Sequence, residues 1–150
     1  MPSYFHLAPI LLAPSSIIAP GNFGRSIKLQ GAAHPLYRHE MVYEEVRQQL
    51  FPDRPSRLAC LFCLPTLEEA EQYRMHIRGY ETSIIYEVES TEGQPHIADA
   101  NNAIQHFALP AFDLNIISYY WQGWSRPSDP RAVILREVLL RQPVTVTRKI

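Results

Sequence analysis

The sequence predicts an α+β fold. Its segments run strand, loop, helix, strand, helix, strand, helices, strand, an order that packs helices on or around a mixed or antiparallel sheet. Residues 83–90, Ser-Ile-Ile-Tyr-Glu-Val-Glu-Ser, alternate with the two-residue period of a strand. Residues 66–69, Thr-Leu-Glu-Glu, open a helix with a capping box, in which the Thr66 hydroxyl accepts from the Glu69 N–H and the Glu69 side chain answers the Thr66 N–H.

The elements follow in order. Residues 3–7 read as a short strand ended by Pro9, with Tyr4 and His6 on one face and Phe5 and Leu7 on the other. Ala13 to Gly24 is rich in Pro, Ser and Gly, carries a short apolar piece at Ile17-Ile18, and turns at Pro20-Gly21. Residues 36–51 read as a helix, since Tyr43, Val46 and Leu50 recur at helical spacing until Pro52 stops the pattern. Arg57 leads a buried strand over 58–64. The helix begun at Thr66 has Leu67, Ala70, Tyr73 (or Arg74) and Ile77 as its inner stripe and stops at Gly79. In the strand at 83–90, Ile84, Tyr86 and Val88 face one way and Ile85, Glu87 and Glu89 the other. A turn over 91–94 follows. Asp99 caps a short helix over 100–107, and Pro110 to Trp121 forms another, with Leu114, Ile117, Trp121 and Trp124 on its stripe. Ser125 to Pro130 is a loop.

The tail has two readings. Asp129-Pro130 is a good start for a helix that would put Ile134, Leu135, Val138 and Leu139 on one face and leave Glu137 outside. Alternatively a strand begins near Arg136, and Glu137 shares a face with Leu139. Residues 144–147 are strand-like in both cases. Glu137 is an acid among apolar and β-branched residues, so it is either a surface group on an amphipathic helix or a buried carboxylate kept for chemistry.

Composition narrows the function. With 150 residues, 46% hydrophobic and 19% charged, the chain reads as one globular domain over 1–150, long enough to build a core without metal or disulfide. A net charge of −1 does not favour bulk binding to nucleic acid or a membrane surface. No apolar run approaches a membrane span and no signal peptide is evident, so a cytoplasmic setting is expected. Cys60 and Cys63 have C-x-x-C spacing, but a strand puts them on opposite faces and nothing completes a zinc site; they read as reduced core thiols. G-x-G-x-x-G, Walker A and G-x-S-x-G patterns are absent.

Four further positions could carry chemistry. His6 sits at a strand that runs into a loop, where ligands are held, or is a half-buried histidine bonded to backbone. Arg57 opens a buried strand and could grip a phosphate, or is a charged strand end. Phe62 lies on that strand. Trp121 belongs to the cluster Tyr119-Tyr120-Trp121-Gln122-Gly123-Trp124, which could stack on a flat ring or fill the core.

Taken in order, Tyr4-Phe5-His6-Leu7, then Arg57 to Phe62 running into the Thr66 helix, then Tyr120 to Gly123, then Arg136-Glu137-Val138-Leu139-Leu140, the chain resembles a small ADP-ribosyltransferase-like domain of the His-Tyr-Glu type, similar to rifamycin-type ADP-ribosyltransferases. The resemblance implies split mixed or antiparallel sheets with flanking helices. It also implies an NAD+-dependent transferase that cleaves the nicotinamide–ribose bond, needs no metal, and passes ADP-ribose to an acceptor, whether protein, nucleic acid or small molecule. A toxin, effector or modifying enzyme would all fit. His6 would hold the nicotinamide ribose, Phe62 or a neighbour on its strand would stack on the nicotinamide with Trp121 as a further cofactor-binding aromatic, and Arg57 could meet the pyrophosphate. Glu137 would bind the ribose 2′-hydroxyl and stabilise the developing cation. The family's middle strand carries a tyrosine, whereas this one shows Cys60, Phe62 and Cys63. A catalytically silent binding domain of the same fold, and an unrelated α+β interaction module, are the alternatives.

Overall fold

In the computed structural model, described for residues 1–104, 112–125, 130–131 and 133–150, the chain is an α+β protein built on two antiparallel sheets. Strands β1 (Ser3–Ala8), β4 (Ile84–Ser90), β7 (Val144–Lys149) and β2 (Ile17–Ile18) form the first, in the order β1-β4-β7-β2. Strands β3 (Leu61–Cys63), β6 (Arg136–Leu140) and β5 (His96–Asp99) form the second, with β6 in the middle. One two-way bridge joins them: Phe5 N–H donates to Leu64 O at 2.9 Å and Leu64 N–H to Phe5 O at 2.7 Å.

The tail is therefore a strand from Arg136, not a helix. Pairing on both sides, with β3 through Val138, Leu139 and Leu140 and with β5 from Arg136 to Leu139, supplies the backbone bonds a helix would have made locally. Its alternation divides the core. Val138 and Leu140 pack with Cys63, Tyr86, Val88, Val144 and Val146 between the sheets. Leu139 faces the opposite way, among Tyr43, Cys60, Ala98, Ile117, Tyr120 and Trp121. Cys60 and Cys63 fall in different clusters, both as free buried thiols. A third cluster, Leu7, Leu64, Ala70 and Ile85, seats helix α3 (Leu67–His76) against β1 and β4.

Helix α2 (Tyr37–Leu50) buries His39, Glu40 and Tyr43, while Leu50 at its end is exposed. Helix α5 (Leu114–Gln122) buries Ile117, Tyr120 and Trp121, a spacing of three and four; Leu114, expected on that stripe, faces solvent. The short helix expected over 100–107 is seen as α4 (Asn101–Ile104), with Asp99 accepting from the Asn101 N–H at 3.0 Å. Its remainder, the start of the helix expected from Pro110, and most of the 125–130 loop lie outside the described residues.

Helix α1 (Asn22–Gln30) occupies ground expected to be loop. Gly21, at φ 95°, turns the chain into it, and the Gly21 N–H donates to Cys60 O at 3.1 Å. Gly24 then lets the helix lie on the backbone before β3: a Cβ there would stand 1.7 Å from Leu58 O. Among the described residues no helix is long and apolar enough to cross a membrane.

Candidate functional site

Glu137 sits on the central strand of the smaller sheet, 2% exposed, facing α2 and α5. Three side chains converge on its carboxylate. Oε2 accepts from the Arg57 guanidinium at 2.7 Å and from the Tyr120 hydroxyl at 2.7 Å; Oε1 accepts from the Tyr73 hydroxyl at 3.1 Å. Arg57 in turn donates through Nε and Nη2 to both oxygens of Glu40, at 2.9 and 3.0 Å, and bonds the Tyr120 hydroxyl. Its guanidinium lies over the rings of Phe62, at 4.8 Å, and Tyr120, at 5.0 Å. Glu40, 1% exposed, stands in the first turn of α2, where the helix dipole favours a carboxylate.

Protonation states follow from these contacts. Burial works against the Arg57 charge, but Glu40, Tyr120 and Glu137 together push its pKa up, so it stays cationic. Burial, reinforced by the Glu137 charge, holds the Tyr73 hydroxyl far above its ordinary range. Burial does the same for Tyr120, where the opposing pull of Arg57 is overcome. Both phenols therefore remain donors.

This cluster lies at the base of a cavity of about 740 Å³, which Glu137 lines together with His6, Phe23, Arg25, Phe62, Tyr73 and Tyr80 among others. Such a volume is typical of sites for cofactor-sized ligands, and most of its wall is apolar with a few polar groups. The His6 imidazole bonds Phe62 O at 2.9 Å through Nδ1. With a carbonyl as partner, Nδ1 carries the proton and Nε2 is left as an acceptor. Burial lowers the His6 pKa, so the neutral ring is the working form near pH 7. Tyr73 and Tyr80 meet edge to face, with ring centres 5.4 Å apart.

Three of the residues singled out from the sequence thus share one cavity: His6 from β1, Phe62 from β3 and Glu137 from β6. The other two lie elsewhere. Among the described residues Arg57 is not part of the cavity wall; it is buried behind it, engaged by Glu40 and Glu137. Trp121 is fully buried, donates Nε1–H to Tyr43 O at 3.0 Å and stacks on His96 with ring centres 5.9 Å apart. Four residues of the site were not picked out as such. Tyr73 was visible on the inner stripe of its helix, and Tyr120 in the aromatic run. Glu40 was legible as the position one turn before Tyr43 on the apolar stripe of α2. Nothing local marks Tyr80, which reaches the cavity from the loop after α3.

Fold and site together define an α+β protein whose two antiparallel sheets hold a buried Glu–Arg–Glu cluster beneath an aromatic-lined cavity. Residues 22–150 match the family described as a protein of unknown function (DUF2441), and the chain belongs to that family. The matched span contains Glu40, Arg57, Phe62, Tyr73, Tyr80, Tyr120 and Glu137, while β1 with His6 precedes it. No match was found among curated proteins.

Proposed function

We propose that this protein is an NAD+-dependent ADP-ribosyltransferase whose reaction centre is the cavity between His6 and Glu137. The observation that carries the proposal is the meeting of these two residues, from the first and sixth strands, with Phe62, Tyr73 and Tyr80 around one cavity of dinucleotide size. The ionic cluster beneath it supports the same reading. A buried ion pair is often no more stabilising than apolar groups of equal volume, so two acids and an arginine held under a cavity are better accounted for by chemistry than by stability.

In this reading the aromatic rings hold the planar nicotinamide. Tyr73 and Tyr80 supply the flat wall and the phenolic hydroxyls that the middle strand does not. The neutral His6 accepts a hydrogen bond from a ribose hydroxyl at Nε2. Glu137 has one lone pair left on Oε1 beside the Tyr73 bond, enough to accept the ribose 2′-hydroxyl. As the bond from the ribose C1′ to the nicotinamide nitrogen breaks, both electrons go to the ring, which leaves neutral. Glu137 stabilises the positive charge that develops on the sugar, in a site poor in water. The acceptor nucleophile then attacks C1′, forming the new bond to the sugar, and its proton passes to bulk water. Arg25, which lines the cavity from α1, takes the pyrophosphate in place of Arg57. The acceptor class stays open between protein, nucleic acid and small molecule, and a cytoplasmic setting belongs to the same proposal.

A second reading is a nucleotide-binding domain without turnover. The 2% exposure of Glu137 and its three donors favour it, because a substrate hydroxyl must compete for the carboxylate. Incubation with NAD+ labelled in the nicotinamide ring separates the two. Release above background that disappears in Glu137→Gln supports transfer chemistry; equal release from both proteins refutes the role of Glu137, and binding without release selects the second reading.

A further inference from the structure

A carboxylate that must stabilise a cation is poorly served by a direct bond to an arginine. At 2.7 Å the Arg57 charge would cancel most of the field that Glu137 sends into the cavity. Yet Arg57 does not face Glu137 alone. Glu40 grips the same guanidinium in bidentate fashion, at 2.9 and 3.0 Å, through Nε and Nη2, whereas Glu137 is held through Nη1. Glu40 is 1% exposed and, unlike Glu137, forms no part of the cavity wall among the described residues. It touches no ligand volume, and its partner already had a counter-ion. The two acids and one arginine sum to a net charge of −1, and the Glu137 oxygens are the part of that cluster nearest the cavity.

We propose that Glu40 is a positioning residue that neutralises Arg57 from behind, so that Arg57 can orient Glu137 through hydrogen bonds without cancelling its charge toward the ligand. The inference rests on the reading of the cavity as the place where a cationic ring is held. Tyr120 completes the device. Its hydroxyl accepts from Arg57 and donates to the same Glu137 oxygen, so Oε2 is fixed by two donors of which only one is charged. The carboxylate keeps its orientation, and the cavity keeps a full negative charge beside the Tyr73 and Tyr80 rings, whose faces also favour a cation.

The test uses the full chain and two rings of the same shape that differ by one charge: 1-methylnicotinamide, a pyridinium cation, and neutral nicotinamide, each titrated by calorimetry. The wild type is expected to prefer the cation by about tenfold or more, the scale of one unit charge at a protein-lined site. Glu40→Gln keeps the shape but leaves Arg57 uncancelled, and is expected to bring the ratio of the two affinities to about one. The double variant Glu40→Met with Arg57→Met removes both charges, and is expected to regain the preference because Glu137 is again the net charge. A purely structural role for Glu40 would weaken both rings alike and leave the ratio unmoved.

The proposal is overturned if Glu40→Gln keeps the wild-type ratio, if the double variant lacks the preference, or if the wild type shows none. Should Glu40→Gln fail to fold, the double variant against wild type still decides. A charge-dependent ratio in a protein that releases no nicotinamide from NAD+ sinks the transferase reading and leaves this one standing. Nicotinamide release with no preference between the rings does the reverse.

Discussion

Replacing Arg57 by Met measures how much the ionic cluster contributes to the folded state. Arg57 makes both side-chain bonds that reach Glu40 among the described residues, through Nε and Nη2, and one of the three that reach Glu137. With Met at this position Glu137 keeps its two tyrosine donors, whereas Glu40, 1% exposed, is stranded. Removing one partner of a buried ion pair costs about 3–5 kcal/mol, because the other charge is left without compensation. The thioether can still pack against the Phe62 and Tyr120 rings that the guanidinium covers at 4.8 and 5.0 Å, so lost packing adds little. Against a total stability of about 5–15 kcal/mol this is about a fifth of the whole or more. At this chain length it lowers Tm by about 6–20 °C. Urea denaturation followed by tryptophan fluorescence reads it directly. Adding Glu40→Met removes the stranded charge and should restore about 2–3 kcal/mol, so the two substitutions are far from additive. A loss below about 1 kcal/mol in Arg57→Met, or simple additivity in the pair, would refute the description of Glu40 as a buried acid held by one arginine.

Three other outcomes follow from the geometry. Gly24→Ala places a Cβ 1.7 Å from Leu58 O, so α1 must shift; a loss of about 1–3 kcal/mol in thermal melting is expected, with Gly93→Ala, which meets nothing within 4 Å, as the neutral control. Stability should fall as pH drops from 6.5 toward 4. Burial lowers the His96 pKa from 6.5 to about 4, so across that window the unfolded chain binds the extra proton; His6 is shifted in the same direction, and His96→Asn should flatten the part of the profile that His96 carries. Tyr73→Phe keeps the ring but removes the 3.1 Å bond to Glu137 Oε1; it should change nicotinamide release while leaving stability within about 1 kcal/mol of wild type, and an unchanged rate would show that Tyr73 plays no part at the carboxylate.

Much of the fold was legible because its signals are local. The capping box at Thr66 is formed, with Thr66 Oγ1 accepting from the Glu69 N–H at 3.1 Å. Its reciprocal half takes another form: the Glu69 carboxylate accepts from the Thr66 hydroxyl at 2.7 Å and from Arg136 at 2.6 and 2.8 Å, a partner 67 residues away that no local pattern announces. The strand over 84–90 came from strict alternation, and its Tyr86 and Val88 do face the inter-sheet core while Ile85 packs against α3. Helix α1 was hidden because Gly21 and Gly24 read as turn residues; their role is a close approach to residues 58–60 that only the tertiary structure reveals. Strand β5 has four residues and follows a turn, so its pairing with Arg136 to Leu139 is the main sign of it. The tail could not be decided from periodicity, since Ile134, Leu135, Val138 and Leu139 suit a helix face as well as a strand pair. Long-range pairing with β3 and β5 settled it.

The site divides in the same way. Glu137 was conspicuous as an acid in an apolar run, and His6 as a histidine at a strand end. Their shared cavity depends on the Phe5–Leu64 bridge that brings the two sheets together. Arg57 looked like a phosphate ligand because its partners, Glu40 17 residues before it and Glu137 80 residues after it, are invisible in its neighbourhood.

A crystal structure of the Glu137→Gln protein with NAD+ reads out whether the dinucleotide is held between His6 and Glu137, as proposed. The nicotinamide ring is expected against Tyr73 and Tyr80, with ribose hydroxyls within hydrogen-bond distance of His6 Nε2 and of the residue 137 side chain. A dinucleotide bound elsewhere, or a cavity left empty at saturating NAD+, would contradict it.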